Sequence, residues 1–310
     1  MSEVIAVSGG VGGAKLVLGL ERTLAPGKLS VIVNTGDDIT HLGLTICPDV
    51  DTTLYTLADI ANPELGWGRR GESWHFMEAI EELGGESWFR LGDKDLALHV
   101  IRTLRLAQGE RLTSVIQHLA RQHGIQSSIM PMTDSPVRTL VTTDGGCLSF
   151  QHYFVRERCQ PAVRELRYGG AAEAEPTPEI LAAFRSPELR AVVLCPSNPY
   201  LSIDPILAVP GIRELLRASK VPVIAVTPLI GGRAVKGPTA KIMGELGIDC
   251  SAAAIAKHYG DLLDGFVLDG VDAAYAQLMG CRVLVANTLM VSLDDRVNLA
   301  REVLEFADRL

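Results

Sequence analysis

The chain predicts an α/β fold: a Rossmann-like, mostly parallel sheet core carrying a mixed helical and β-hairpin insertion. Three observations predict it. Short apolar, β-branched runs such as Val4–Val7, Leu29–Val33 and Ala191–Cys195 alternate with helix-length segments, the rhythm of βαβ units. The first run leads into a glycine-rich turn and then a helix. The rhythm lapses between Pro63 and Pro187, which assigns residues 1–62 and 188–310 to the core and 63–187 to an insertion or cap.

Val4–Val7 reads as a buried strand, Ser8-Gly9-Gly10-Val11-Gly12-Gly13 as a loop, and Ala14–Thr23 as a helix. Glycines let backbone N–H groups approach a phosphate, and a helix N-terminus adds a favourable partial charge. The strict motifs fail. A dinucleotide GxGxxG begun at Gly10 would need glycine where Lys15 stands, and a Walker loop needs Gly-Lys-Ser/Thr where Gly13-Ala14-Lys15-Leu16 stands. The loop suggests a phosphate without naming the ligand class, and a purely structural tight turn stays open.

Lys28–Asn34 is the second strand. Beyond it, Asn34–Tyr55 carries four aspartates within fifteen residues: Asp37, Asp38, Asp49 and Asp51. Carboxylates so crowded repel one another unless Lys or Arg, a divalent cation or solvent offsets them. The pairs Asp37/Asp38 and Asp49/Asp51 suit Mg²⁺, which often takes one or two carboxylates together with substrate phosphates. Turn and cap chemistry is the plain alternative, with Asp51 or Thr52 as N-cap of the next helix.

Within the insertion, Gly66–Arg70 is a loop with two cations and Glu72–Leu83 a helix. Asp93 caps a helix running to about Leu106, with Leu96, Val100 and Leu104 on one face, and Leu112–His123 is a further helix. From Ile125 the pattern turns to strands, with Asp144-Gly145-Gly146 as a hairpin turn between VRTLVTT and LSFQHYFV. In the second core segment, strands at Ala191–Cys195, Val221–Val226, Gly265–Leu268 and Arg282–Ala286 alternate with helices at Gly211–Ser219, Pro238–Leu246 and Asp294–Leu310. Pro196-Ser197-Asn198-Pro199 and Pro228-Leu229-Ile230-Gly231-Gly232 follow two of these strands, a composition suited to a second phosphate or nucleobase contact.

The net charge of −8, from 29 basic and 37 acidic residues, argues against a general nucleic-acid binder. It leaves room for a small anion in a local pocket. Six cysteines without a CxxC pair read as reduced thiols of a cytosolic protein. The N-terminus has neither the basic nor the apolar region of a signal peptide, and the apolar runs are too short to span a membrane. His118 and His123 form no zinc pattern, and His99 reads as a packed or hydrogen-bonded histidine. No GxSxG elbow is present. Arg90, beside Trp88 and Phe89, suits an anion next to an aromatic platform, or else is a surface arginine before a helix cap. Arg69, Arg70, Lys94 and Lys236 read as solvated side chains.

The phrases Ser8–Lys15, Asn34-Thr35-Gly36-Asp37-Asp38, Cys47-Pro48-Asp49-Val50-Asp51-Thr52, Leu91-Gly92-Asp93-Lys94-Asp95, Pro196–Pro199 and Pro228–Gly232 together resemble the 2-phospho-L-lactate transferases, the CofD-type enzymes of coenzyme F-420 biosynthesis. Gly66-Trp67-Gly68 and Ile206–Gly211 add to the resemblance, which runs nearly end to end in the same order. It implies a Rossmann-like core with an insertion that contributes to the acceptor site. It implies Mg²⁺-dependent transfer of a phospholactyl or phosphoenolpyruvyl group from a guanosine-diphosphate-linked donor to the ribityl hydroxyl of a deazaflavin, releasing GMP. By motif position, Asp37 and Asp49 match the metal-holding acids, and Asp51 and Arg90 the deazaflavin-binding positions. Asp38 is a general base or a supporting ligand. Ser8, Gly9, Gly10, Gly12, Gly13, Lys15, Ser197, Asn198, Pro199 and Gly231 are expected around the guanosine diphosphate. Trp74, Trp88 and Phe89 are candidates for a deazaflavin wall. A cytoplasmic homodimer is the accompanying expectation.

The rival is a nucleotide-sugar-binding regulatory protein of the related gluconeogenesis-factor family, which shares the glycine loop and an aspartate pair. Its members follow that pair with a glycine- and serine-rich run, where this chain has ITHLGLTICPDVDTT. A nicotinamide oxidoreductase is disfavoured by the failed GxGxxG.

Overall fold

A computed structural model describes residues 3–63 and 67–310. Gly66, of the loop and the Gly66-Trp67-Gly68 phrase read above, lies outside the described residues, as do Met1 and Ser2.

The first core segment contains β1 (Val4–Ser8), α1 (Gly10–Thr23) and β2 (Leu29–Val33), then a hairpin of β3 (Ile39–His41) and β4 (Leu44–Ile46), and α2 (Pro48–Leu57). Next come α3 (His75–Glu82), α4 (Asp93–Ala107), α5 (Leu112–Gln122) and β5 (Ser128–Pro131). Strands β6 (Arg138–Thr143), β7 (Gly146–Ser149) and β8 (Val163–Gly169) form a separate antiparallel sheet. Helix α6 (Pro178–Phe184) leads to β9 (Ala191–Leu194), α7 (Asp204–Leu207), α8 (Ile212–Arg217) and β10 (Val223–Val226). A small hairpin of β11 (Leu229–Ile230) and β12 (Arg233–Ala234) follows, then α9 (Thr239–Glu245) and α10 (Ala252–Tyr259). The chain closes with β13 (Gly265–Asp269), β14 (Arg282–Ala286) and α11 (Leu293–Ala307).

Seven strands form the central sheet in the order β14-β13-β10-β9-β1-β2-β5, every neighbouring pair parallel. Parallel sheets need cover on both faces, and β1 shows it. Val4 and Ala6 pack with Leu16, Leu20 and Val303 on one side. Ile5 and Val7 pack with Ile206, Ile212 and Ile255 on the other. The chain adds β2 and β5 on one side of β1, then β9, β10, β13 and β14 on the other. The order therefore reverses between β1 and β9, where an open α/β sheet parts its loops to admit a ligand.

Several local expectations change. The glycines after Gly9 are not a separate loop: α1 starts at Gly10 and takes Gly12 and Gly13 into its first turn. Helix α2 starts at Pro48 with Cys47 at the N-cap, so Asp49 and Asp51 lie inside the first turn and neither Asp51 nor Thr52 is the cap. Proline at the first helical position needs no donor there, which sets the earlier start. Asp93 is the first residue of α4, and its carboxylate instead accepts from His75 N at 3.3 Å and Phe76 N at 3.1 Å, capping α3. In exchange, Glu72 accepts from Lys94 N at 2.7 Å and Asp95 N at 3.1 Å, capping α4.

The face of α4 is also corrected. Val100 and Leu104 are 45% and 53% exposed, whereas Asp95, Leu98, His99 and Arg102 are buried. Polar residues of α2 receive that inner face, so it carries charge and hydrogen-bonding groups. Strand β5, inside 63–187, is the edge strand beside β2. The hairpin turn at Asp144-Gly145 is as expected, but the second strand stops at Ser149, and His152–Arg156 form a π-helical turn. There Ser149 Oγ and His152 Nδ1 meet at 2.7 Å, a local bond that competes with strand pairing.

Candidate active site

A cleft of about 770 Å³ opens at the reversal between β1 and β9. Gly9, Gly10 and Gly12 after β1, Pro196–Asn198 after β9, Thr227 and Pro228 after β10, and Thr288–Met290 after β14 line one side. Asp51 and Tyr55 of α2, Asp95 and His99 of α4, and Trp88–Arg90 complete the lining, with Asp49 of α2 set against the glycines.

The glycine side is tightly interlocked. Gly9 N donates to Ser197 Oγ at 3.1 Å. A Cβ on Gly9 would stand 2.6 Å from Asp49 Oδ2, and one on Gly12 would stand 2.5 Å from the Pro196 carbonyl oxygen. A Cβ on Gly13 would meet the hydroxyls of Ser8 and Ser197 at 2.3 and 2.4 Å. Glycine is required here because the Gly9 backbone and the first turn of α1 lie directly against the loop after β9, Asp49 and Ser8, with no room for a Cβ. With the Gly9 N–H taken by Ser197 and the Gly10 backbone bonded to Asp49, Val11 and Gly12 of α1's first turn remain at the cleft, an arrangement suited to anions.

The expected nucleotide positions divide. Gly9, Gly10, Gly12, Lys15, Ser197 and Asn198 line the cleft, whereas Ser8, Gly13, Pro199 and Gly231 do not. Ser8 and Pro199 are buried, and Gly231 N is bonded to Asp272 at 2.9 Å. Lys15 Nζ donates to the Met290 carbonyl at 2.7 Å. Burial, then Arg296 and Lys236, lower its pKa. Asn198 Oδ1 accepts from Tyr200 N and Leu201 N at 3.0 and 3.1 Å, while its Nδ2 is buried without a partner. Lys236, read as solvated, lines the cleft as well.

The aspartates separate too. Asp37 and Asp49 line the cleft, both nearly buried. Asn34 Nδ2 donates to Asp49 Oδ2 at 2.9 Å, and the Gly10 backbone also bonds that carboxylate. Burial pushes Asp49 up to about 6. Asp37 is pushed well above the usual carboxylate range, first by burial and then by Asp49, and its Oδ1 is buried without a partner. Two inward carboxylates that resist ionising together, one with an orphaned oxygen, fit a Mg²⁺ ion whose other ligands are phosphate oxygens and water. Among the described residues, no group of three or more His, Cys, Asp or Glu is placed to hold a metal ion. Asp38 does not line the cleft: it is buried among Cys47, Arg138 and Arg102, and burial pushes it up to about 7.

Asp51 reaches the cleft from a buried polar network. Arg102 NH1 donates to Asp51 Oδ2 at 3.0 Å and its NH2 donates to Oδ1. His99 stands between Asp51 and Asp95, at 3.7 and 3.4 Å, and Tyr55 OH donates to Asp95. Arg90 is exposed at the cleft mouth, its guanidinium 4.4 Å from the ring centre of Trp74. Trp88 and Phe89 line the cleft, while Trp74 braces Arg90 from outside the lining. Phe150 and Phe154, stacked at 5.2 Å, extend the aromatic wall.

The site residues that sequence reasoning missed are Asn34, Tyr55, Asp95 and Arg102. Asn34 stood in view as the first residue of the aspartate stretch. Asp95, His99 and Arg102 share one helical face at i, i+4 and i+7, a signal hidden by the apolar set Leu96, Val100 and Leu104.

The profile of the family described as 2-phospho-L-lactate transferase CofD matches residues 4–304. The chain belongs to that family. A 2-phospho-L-lactate transferase of Methanocaldococcus jannaschii is 39% identical over 99% of both chains. A phosphoenolpyruvate transferase of Streptomyces griseus is 38% identical, again over 99% of each. Among solved structures, a UPF0052-family protein of Bacillus halodurans superposes with a TM-score of 0.65 at 15% identity. It covers 98% of this chain and 99% of its own, and shares the fold alone. The family is one of transferases, and no helix among the described residues is long and apolar enough to cross a membrane.

Proposed function

We propose that the protein moves a phospholactyl- or phosphoenolpyruvyl-type group from a guanosine-diphosphate-linked donor to the terminal ribityl hydroxyl of 7,8-didemethyl-8-hydroxy-5-deazariboflavin, releasing GMP, in coenzyme F-420 biosynthesis. One observation carries the reading. A single cleft joins a glycine backbone surface and two repelling buried carboxylates, Asp37 and Asp49, to an aromatic wall ending in Arg90.

The acceptor hydroxyl oxygen attacks the phosphorus bearing the three-carbon acid, and its proton passes to solvent. The new P–O bond forms as the phosphoanhydride bond breaks, and GMP leaves with the electron pair. Such transfers need positioning and charge neutralisation more than a covalent nucleophile. The first turn of α1 and Lys15 bind the diphosphate, Ser197 and Asn198 hold the nucleotide beside it, and Asp51 and Arg90 orient the deazaflavin. Asp37 and Asp49 would hold Mg²⁺, which when bound supplies positive charge to the diphosphate. Asp38, buried outside the cleft lining, adds negative charge beside Asp37 and is assigned no direct contact with the substrates. Membership in a transferase family, together with this cleft, favours transfer over nucleotide-sugar binding.

The test is an incubation of the purified protein with the deazaflavin, Mg²⁺ and guanylated phospholactate, phosphoenolpyruvate or phosphoglycerate, read by mass spectrometry. A deazaflavin phosphodiester from at least one donor is expected. Tight binding of a uridine-diphosphate sugar with no product from any donor would favour the regulatory rival.

A further inference from the structure

We propose that Arg102 is a positioning residue of the acceptor site, holding the Asp51 carboxylate against the cleft wall without touching the acceptor. The inference rests on the reading of Asp51 as an acceptor contact. Arg102 is wholly buried on α4 and does not line the cleft, whereas Asp51, Tyr55, Asp95 and His99 do. Its two terminal nitrogens engage the two oxygens of Asp51, a forked pairing that fixes the carboxylate plane as well as its position. NH1 also reaches the Thr45 carbonyl and His99 Nδ1, both at 3.3 Å.

His99 completes the frame. With Arg102 donating to Nδ1, the ring proton belongs on Nε2, which faces Asp95 Oδ1 at 3.4 Å as a close polar contact and is buried without a hydrogen-bond partner. Asp95 in turn accepts from Tyr55 of α2. Two pairings therefore tie α2 to α4, Arg102 with Asp51 and Tyr55 with Asp95, with His99 packed between them, and Asp51 sits where they meet the cleft. Each Asp51 oxygen keeps lone-pair capacity beyond its bond to Arg102. A carboxylate paired in this way only accepts, so the acceptor group it receives is a hydroxyl or a ring N–H.

A purely structural ion pair fits this helix poorly. Buried ion pairs are often no more stabilising than apolar residues of similar volume. Here the polar set faces inward while Val100, Ile101 and Leu104, 45%, 43% and 53% exposed, face out. That inversion of the usual pattern runs against stability and is expected where function dictates the inner face.

The experiment compares wild type, Arg102→Gln, Arg102→Lys, Asp51→Asn and the Arg102→Gln/Asp51→Asn double variant by steady-state kinetics, deazaflavin binding and thermal unfolding. Arg102→Gln should raise the acceptor KM about tenfold and leave the donor KM within about twofold. Lysine, which keeps the charge but not the fork, should recover part of the loss. The double variant should bind the deazaflavin about as weakly as Asp51→Asn alone. An unchanged acceptor KM alongside a lowered Tm, or equal rises in both KM values, would overturn the assignment. If Arg102→Gln fails to fold, the lysine variant decides: wild-type acceptor affinity would overturn it. If wild type binds the deazaflavin but transfers nothing, the proposed function fails while the deazaflavin Kd ratio still judges Arg102.

Discussion

At the scale of single residues, burial governs the site. Asp37, Asp38 and Asp49 all lie above the usual carboxylate range because burial withdraws them from water. The native chain therefore holds protons that the unfolded chain releases near 3.8, up to about 6 at Asp49 and about 7 at Asp38. A raised acid pKa contributes stability at low pH that is lost as pH rises through this window. The metal-free protein should lose Tm between about pH 5 and about pH 7, and Mg²⁺, competing with those protons, should raise Tm more at the upper pH. Differential scanning calorimetry checks both, and Asp49→Asn should abolish the Mg²⁺ shift. A shift equal at both pH values, or surviving in that variant, would count against the metal assignment. The acids and their division were read through the family resemblance, whereas the burial that raises them and the buried partners of Asp38 and Asp51 were not legible. Asp51 resembles a helix cap because its partner Arg102 lies fifty-one residues away, a distance no local pattern spans.

At the scale of elements, the strands of the sheet were legible because a parallel sheet covered on both faces must be apolar without alternation. The start of α1 was not, since glycine is a poor helix former and a run of it resembles a loop. The packing explains the exception: the first turn of α1 lies against the loop after β9, and a side chain would separate them. Gly12→Ala, whose methyl would meet the Pro196 carbonyl oxygen at 2.5 Å, should lower stability by about 1–3 kcal/mol and raise the donor KM. Gly280→Ala, with nothing within 4 Å of its new Cβ, is the control and should do neither. Urea unfolding and donor titration measure the two effects, and wild-type behaviour of Gly12→Ala would contradict the interlocked floor. The same scale shows why the edge strand was misplaced. Ser128–Pro131 stands among hairpin strands in sequence, yet it pairs with β2 in parallel, a contact set by tertiary packing.

At the scale of the whole molecule, a chain of net charge −8 is proposed to bind an anionic donor. Locally, backbone groups of α1's first turn, Lys15 and Lys236 line the cleft where the sheet reverses. The resemblance read from scattered phrases gains its physical sense there, because the segments from Gly9, Asp37, Asp49, Arg90 and Ser197 converge on one cleft. The central claim is that this cleft couples donor cleavage to acceptor attack. The most direct measurement is GMP release by the purified protein supplied with guanylated donor and Mg²⁺, with and without the deazaflavin. One GMP per deazaflavin phosphodiester, none without acceptor and none after EDTA, is the predicted result. GMP release indifferent to the deazaflavin, or no release at all, would contradict it.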